Sequence, residues 1–243
     1  MRTLMNQPNA IEGIFFDLDG TLLDTSDDFI ITLNKMLADD HLPAVNSELI
    51  RSHVSEGSRK LVQLAYDIES SDPRLECLRN RLLEEYDNHI NNGGREKAAK
   101  LYDGMLMLLD ALDDRAIPWG VVTNKPSAYA GTLLAQADLS HRSKTLICPD
   151  HVTLTKPAPE ALLLACQKTG ANPANCIYVG DHLRDIEAGR NAGMVTIAAL
   201  YGFISPQDTP DQWHADYSVS SAQEILPLLE KHKWQLPRRA IHV

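Results

Sequence analysis

From Tyr102 to Glu230 the chain alternates short apolar runs with stretches of helical spacing, and this alternation limits the fold more than any other feature. Strands are expected at Trp119–Thr123, Thr145–Cys148, Cys176–Gly180 and Val195–Leu200, with a last short one at Tyr217–Val219. Helices are expected at Tyr102–Arg115, Pro126–Ala137, Pro159–Thr169, Arg184–Ala192 and Ala222–Glu230. Pro126 suits the first turn of its helix, and Gly193 suits the end of the fourth. Strand–helix alternation of this kind predicts an α/β fold with a mostly parallel sheet covered on both faces. Ligands of such sheets bind at the carboxyl ends of the strands.

A further strand is expected at Ile14–Phe16, and it runs into Asp17-Leu18-Asp19-Gly20-Thr21-Leu22-Leu23-Asp24. Residues two apart on a strand share a side, so Asp17 and Asp19 are expected close together at its carboxyl end. Two carboxylates that close repel unless a cation lies between them or one keeps a proton. Such a pair can hold a divalent metal, or let one aspartate attack while the other moves a proton. Alone, the string also reads as a polar turn for which Gly20 is suited.

Between Asp24 and about Lys100 the spacing is helical and no strand is expected. Ser26–Asp40 places Phe29, Ile30, Leu33, Met36 and Leu37 on one side, with Thr25 or Ser26 as N-cap. Ser47–His53 and Ser58–Tyr66 read as short helices. Pro73–Ile90 is a longer one with a stripe of Leu75, Leu78, Leu82, Leu83 and Tyr86, and Asn91-Asn92-Gly93-Gly94 punctuates its end. An insert beside the active end of a strand is well placed to act as a lid. Its polar turn at Gly57-Ser58-Arg59 stands out. Arg51, His53, Arg59 and Lys60 could recognise a carboxylate, and a solvated helix face is the plainer alternative for each.

Three later stretches can serve the aspartates. Thr123-Asn124-Lys125 follows a strand and opens a helix, a place for a phosphate cradle or for simple capping. Lys156 lies between a strand and a helix, beside Pro157 and Pro159, which suits a fixed point charge. Gly180-Asp181-His182-Leu183-Arg184-Asp185 ends another buried strand with two acids, which can bind a metal or complement the helix dipole. His182 is left without a role.

Together these four stretches resemble the signatures of the haloacid dehalogenase superfamily, in its phosphatase branch. The resemblance covers nearly the whole chain. It implies a Rossmann-like core, 1–24 and 101–243, with an α-helical cap, 25–100, inserted after the first strand. It implies that Asp17 is the nucleophile that forms an aspartyl-phosphate, and that Asp19 is the general acid and base. It places Thr123 and Lys156 on the phosphoryl group, and implies substrate contacts by Asn124, Lys125, Gly57, Ser58 and Arg59. Mg²⁺ would be held by Asp17, the Asp19 carbonyl and Asp181, with Asp185 in support. Dehalogenases of the superfamily do not need a second acid, so Asp19 favours phosphoryl transfer. The overall pattern resembles the phosphoglycolate phosphatase group. Trp119–Pro126, Cys148–Val152 and Gly180–Ile186 also resemble the N-acetylmuramic acid 6-phosphate phosphatases. The expected activity is hydrolysis of a carboxylate-bearing phosphate ester, 2-phosphoglycolate or N-acetylmuramic acid 6-phosphate. A sugar phosphomutase, or a silent ligand-binding protein on the same fold, is the alternative.

Composition excludes some partners. A formal net charge of −10 disfavours a general nucleic-acid or anionic-membrane surface. No apolar stretch is long enough to span a bilayer, and Met1–Asn9 lacks the apolar core of a signal peptide. The cysteines, Cys77, Cys148, Cys166 and Cys176, form no Cys-x-x-Cys pair and read as core residues in a reducing cytosol. Monomer or homodimer is expected, and the tail with Pro237-Arg238-Arg239 reads as a surface extension.

Overall fold

The protein is described by a computed structural model covering residues 10–92 and 99–231. Met1–Asn9, Gly93-Gly94 and the tail with Pro237-Arg238-Arg239 lie outside the described residues. Six parallel strands form one sheet in the order β5-β4-β1-β6-β7-β8. These are β1 (Gly13–Phe16), β4 (Trp119–Val122), β5 (Leu146–Ile147), β6 (Cys176–Gly180), β7 (Val195–Ala199) and β8 (Tyr217–Val219). The strands β1, β4 and β6 are buried along their whole length. They are therefore near-continuous apolar runs, as a sheet covered on both faces requires.

Successive β1 side chains face opposite ways. Ile14 and Phe16 join a core with α5 (Met105–Asp114), α6 (Ser127–Gln136) and α9 (Ile225–Lys231). Phe15 joins a second core with α7 (Glu160–Thr169) and α8 (Leu183–Ala192). The predicted start of α5 at Tyr102 moves to Met105, because Gly104 takes a left-handed φ of 86° there. Cys148, Cys166 and Cys176 are buried, but Cys77 is exposed on a helix surface and is not a core residue.

Strand order decides where the site lies. The chain leaves β1 and returns to β4 on one side of it, then to β6 on the other. The loops after β1, β4 and β6 therefore open side by side at one end of the sheet, where the connections switch direction.

The expectation of no strand from Asp24 to Lys100 needs correcting. Leu23–Asp24 (β2) and Lys100–Leu101 (β3) pair antiparallel, Leu23 with Leu101 and Asp24 with Lys100. Two residues cannot carry a period-two pattern, so the ribbon is invisible in the sequence. It brackets α1 (Ser26–Asp39), α2 (Ser47–Arg51), α3 (Ser58–Tyr66) and α4 (Leu75–Asn92). Phe29, Leu33, Met36, Leu61, Val62, Leu75, Leu82 and Tyr86 are the buried sides on which these helices pack. None of the described helices is long and apolar enough to cross a membrane.

Candidate active site

Asp17 closes the β1 ladder, donating its N–H to the Val179 carbonyl at 2.9 Å. Its Oδ1 accepts the Leu18 N–H at 2.7 Å and lies 2.9 Å from Lys156 Nζ. Burial pushes the Asp17 carboxyl up to about 6; Lys156 draws it back, and Asp185 and Asp19 push it further up. The Lys156 side chain is wholly buried. Its Nζ also reaches Asp185 Oδ1 at 2.6 Å, Tyr178 Oη at 2.8 Å and the Val122 carbonyl at 3.2 Å. Burial works against the ammonium, but Asp17 and Asp185 outweigh it and hold the pKa above its usual value.

Asn124 fixes this lysine. Its side-chain amide donates to the Lys156 carbonyl at 3.1 Å, and its Oδ1 accepts the Lys156 N–H at 3.2 Å. Asn124 thus braces Lys156, and it also borders the cavity described below. Thr123 is buried beside it, and its Oγ1 accepts the Lys125 N–H at 3.2 Å.

Asp181 sits next to Asp17 at the end of β6. Its Oδ1 accepts the Thr21 hydroxyl at 3.0 Å; its Oδ2 accepts the Ser55 hydroxyl at 3.0 Å and the Phe203 N–H at 2.9 Å. Burial, followed by Asp17 and Asp185, pushes its carboxyl up to about 8. Gly20 is required alongside: its φ is 80°, and a Cβ there would meet Asp181 Oδ2 at 2.1 Å. Asp185, also buried, gives Oδ1 to Lys156 and Oδ2 to the His182 N–H at 3.1 Å.

One carboxylate oxygen from each of Asp17, Asp181 and Asp185 lies within 4.8 Å of the others. Three buried carboxylates gather here, two of them on the Lys156 ammonium, so this set of hard oxygen donors fits a divalent cation. The Asp19 carboxylate is not part of this cluster. His182 is not at this centre: it caps α8, its Nδ1 accepting the Arg184 N–H at 3.2 Å, and its ring stacks on Trp213.

Asp19 points elsewhere. Its Oδ1 accepts the Thr25 hydroxyl at 2.6 Å and the Lys125 ammonium at 2.9 Å. Thr25 holds the N-cap position of α1, as expected, with no capping bond from its side chain; Asp24 instead accepts from the Ser26 N–H at 3.1 Å and the Ser26 hydroxyl at 2.7 Å. The Lys125 Nζ lies 4.8 Å from the Phe29 ring centre and 4.7 Å from that of Tyr86, whose rings stack at 4.4 Å. Burial disfavours this ammonium, but Asp19 and Tyr86 overcome it and raise the pKa. Lys125, expected to bind substrate, is paired with Asp19 beside the stacked rings of Phe29 and Tyr86 from α1 and α4, and it lines the cavity described below.

A cavity of about 370 Å³ opens over Asp17, Asp19 and Thr123. Phe29, Val54, Leu83, Tyr86 and Tyr129 wall it, and Gly57 and Ser58 border it. Arg59 does not: it is 65% exposed and paired with Glu76 at 2.8 Å. Arg51 is bound to Asp24 and to Ser26 Oγ at the ribbon, and His53 is buried with Nδ1 on the Leu49 carbonyl. Neither borders this cavity, and nor does Lys60. Three polar or charged lining residues, Ser55, Arg79 and Arg184, were not among the expected site residues. Ser55 reaches down to Asp181, Arg184 bonds the Ser55 carbonyl, and Arg79 enters from α4. The signal for Arg79 was present, a charge between Leu75 and Leu82 on an apolar stripe.

The sequence profile of the haloacid dehalogenase-like hydrolases matches residues 14–199, from β1 through β7. The chain belongs to this family. It is 41% identical to the N-acetylmuramic acid 6-phosphate phosphatase of Pseudomonas aeruginosa, over 91% of this chain and 96% of that one. It is 37% identical to the phosphoglycolate phosphatase of Xanthomonas campestris, over 93% and 98% of the two chains. Among solved structures, a predicted phosphoglycolate phosphatase from Haemophilus somnus superposes with a TM-score of 0.76 at 25% identity, covering 90% of this chain and 97% of that one. Within the haloacid dehalogenase-like hydrolases the chain is accordingly a phosphatase.

Proposed function

We propose that the protein hydrolyses a bulky, carboxylate-bearing sugar phosphate, N-acetylmuramic acid 6-phosphate or a close analogue, with Mg²⁺ as cofactor. The cavity carries this reading. Its volume of about 370 Å³ falls among pockets that enclose a ligand of roughly drug size, larger than 2-phosphoglycolate needs. Its aromatic side suits the apolar face of a sugar ring. The identity to N-acetylmuramic acid 6-phosphate phosphatase points the same way.

The chemistry then follows from the side chains. Asp17 Oδ attacks phosphorus in line, the ester oxygen leaves, and Asp19 hands that oxygen a proton. Asp19 next takes a proton from water, which attacks the aspartyl-phosphate, releases phosphate and restores Asp17. Thr123 and Lys156 bind the phosphoryl oxygens while Asn124 holds Lys156 in place. Asp17, Asp181 and the Asp19 carbonyl would hold Mg²⁺, and Asp185 would orient the site. When bound, the cation supplies charge that offsets the phosphoryl and carboxylate oxygens. Residues 25–100 serve as the cap over a core formed by 1–24 and 101–243, and Ser55 carries the cap to the metal cluster.

Lys125 keeps Asp19 aimed at the leaving group. Lys125→Met preserves the aliphatic stem and removes the ammonium. It is expected to lower kcat about 100-fold with KM changed only a few-fold. Steady-state kinetics with an unchanged kcat would remove Lys125 from the reaction.

The substrate reading is tested by phosphate release with Mg²⁺ on N-acetylmuramic acid 6-phosphate and 2-phosphoglycolate. The sugar phosphate is expected to give a kcat/KM at least about tenfold higher. A preference for 2-phosphoglycolate overturns the reading, and so does phosphoryl exchange between sugar phosphates without net release.

A further inference from the structure

Arg79 stands on the inward stripe of α4, four residues after Leu75, three before Leu82 and seven before Tyr86. Those three neighbours are buried. A guanidinium in such a row is partly stripped of water, and its side chain is only 32% exposed. It borders the same cavity as Asp17, Asp19 and Thr123, but comes from α4 whereas they come from the ends of β1 and β4.

Two further cations border this cavity. Lys125 is closed on Asp19, and Arg184 gives Nη2 to the Ser55 carbonyl while its Nε is buried without a hydrogen-bond partner among the described residues. Arg79 comes from α4. Its Nε donates to Ser58 Oγ at 3.1 Å, which sets the plane of the guanidinium. Its Nη1 lies 3.8 Å from Glu76 Oε2, beyond hydrogen-bond range, and that carboxylate is already paired with Arg59. Among the described residues no hydrogen-bond acceptor takes the two terminal nitrogens. A planar fork of N–H donors, oriented and partly desolvated at a cavity wall, matches a carboxylate.

We infer that Arg79 is the specificity-determining residue that binds the carboxylate of the substrate. The inference rests on the sugar-phosphate reading above and adds the residue that distinguishes acid from neutral sugar. The phosphate occupies the end of the cavity near Asp17 and Thr123. The sugar ring lies along Tyr86 and Tyr129. The acid side chain meets Arg79, which Ser58 steadies.

The experiment compares N-acetylmuramic acid 6-phosphate with N-acetylglucosamine 6-phosphate, which lacks the lactyl ether and its carboxylate. The measured quantity is the ratio of their kcat/KM values in the wild-type chain, Arg79→Ala and Arg79→Lys, each checked for folding by circular dichroism. The wild-type ratio is expected to be large. Arg79→Ala is expected to shrink it by roughly 10- to 100-fold, mainly through KM of the acidic sugar. Arg79→Lys, which keeps the charge but not the fork, is expected to recover part of the ratio. A large wild-type ratio preserved in Arg79→Ala overturns the assignment of Arg79 alone. A wild-type ratio near one overturns the carboxylate-bearing substrate itself.

Discussion

Asp17→Asn is expected to end turnover while leaving the fold in place. The amide keeps the size of the side chain and can still meet the Leu18 N–H, but it cannot form the aspartyl-phosphate. Loss of a nucleophile removes an entire pathway, so phosphate release should fall by on the order of 10⁴-fold or more. The stability readout runs the opposite way. Asp17 and Asp185 share one lysine, and Asp181 lies beside them. Removing one negative charge relieves that crowding, so the metal-free melting temperature of the variant at neutral pH should equal or exceed that of the wild type. Activity within tenfold of wild type would exclude Asp17 as nucleophile. A collapsed melting temperature would show that its main task is structural.

Removing the metal is expected to silence the enzyme, and the stability cost should grow with pH. EDTA should abolish phosphate release and Mg²⁺ should restore it. In the metal-free fold Asp181 titrates at about 8 and Asp17 at about 6, both above the ordinary aspartate value near 4. The folded state therefore binds these protons more tightly than the unfolded chain. The stability linked to them is complete below about pH 4 and is lost as pH rises through about 6 and then about 8. A cation at the cluster replaces those protons. The gap in melting temperature between Mg²⁺-loaded and metal-free protein should therefore widen from about pH 5 to about pH 8, by several degrees. A gap that does not change with pH would mean that the metal binds elsewhere. Activity that survives EDTA would overturn the metal reading.

Much of the site was legible because its parts lie at the ends of regular strands. The apolar runs of β1, β4 and β6 announce themselves, and each is followed directly by its polar residues: Asp17 and Asp19, Thr123, Asp181. Their convergence follows from the parallel order of the sheet. Arg59, Asn124 and Lys125, expected at the substrate, have partners that no local pattern announces. Their side chains answer to groups far away in the chain: Arg59 to Glu76, Asn124 to the Lys156 backbone, Lys125 to Asp19 and the rings of Phe29 and Tyr86.

The sequence by itself determined the α/β class, the strands that carry the acids, the family and its phosphatase activity. Periodicity and motif spacing are properties of contiguous backbone, and they survive in a one-dimensional reading. Only the tertiary structure decided which cations remain for a ligand. Packing α1 and α4 over the β4 loop commits Lys125 to Asp19, and folding α2 against the β2–β3 ribbon commits Arg51 to Asp24. The same packing brings Ser55 to Asp181 across 126 residues of chain and leaves Arg79 at the cavity wall. A charged side chain settles on the nearest group that compensates its lost water, and that neighbour exists only once the helices have closed on the sheet.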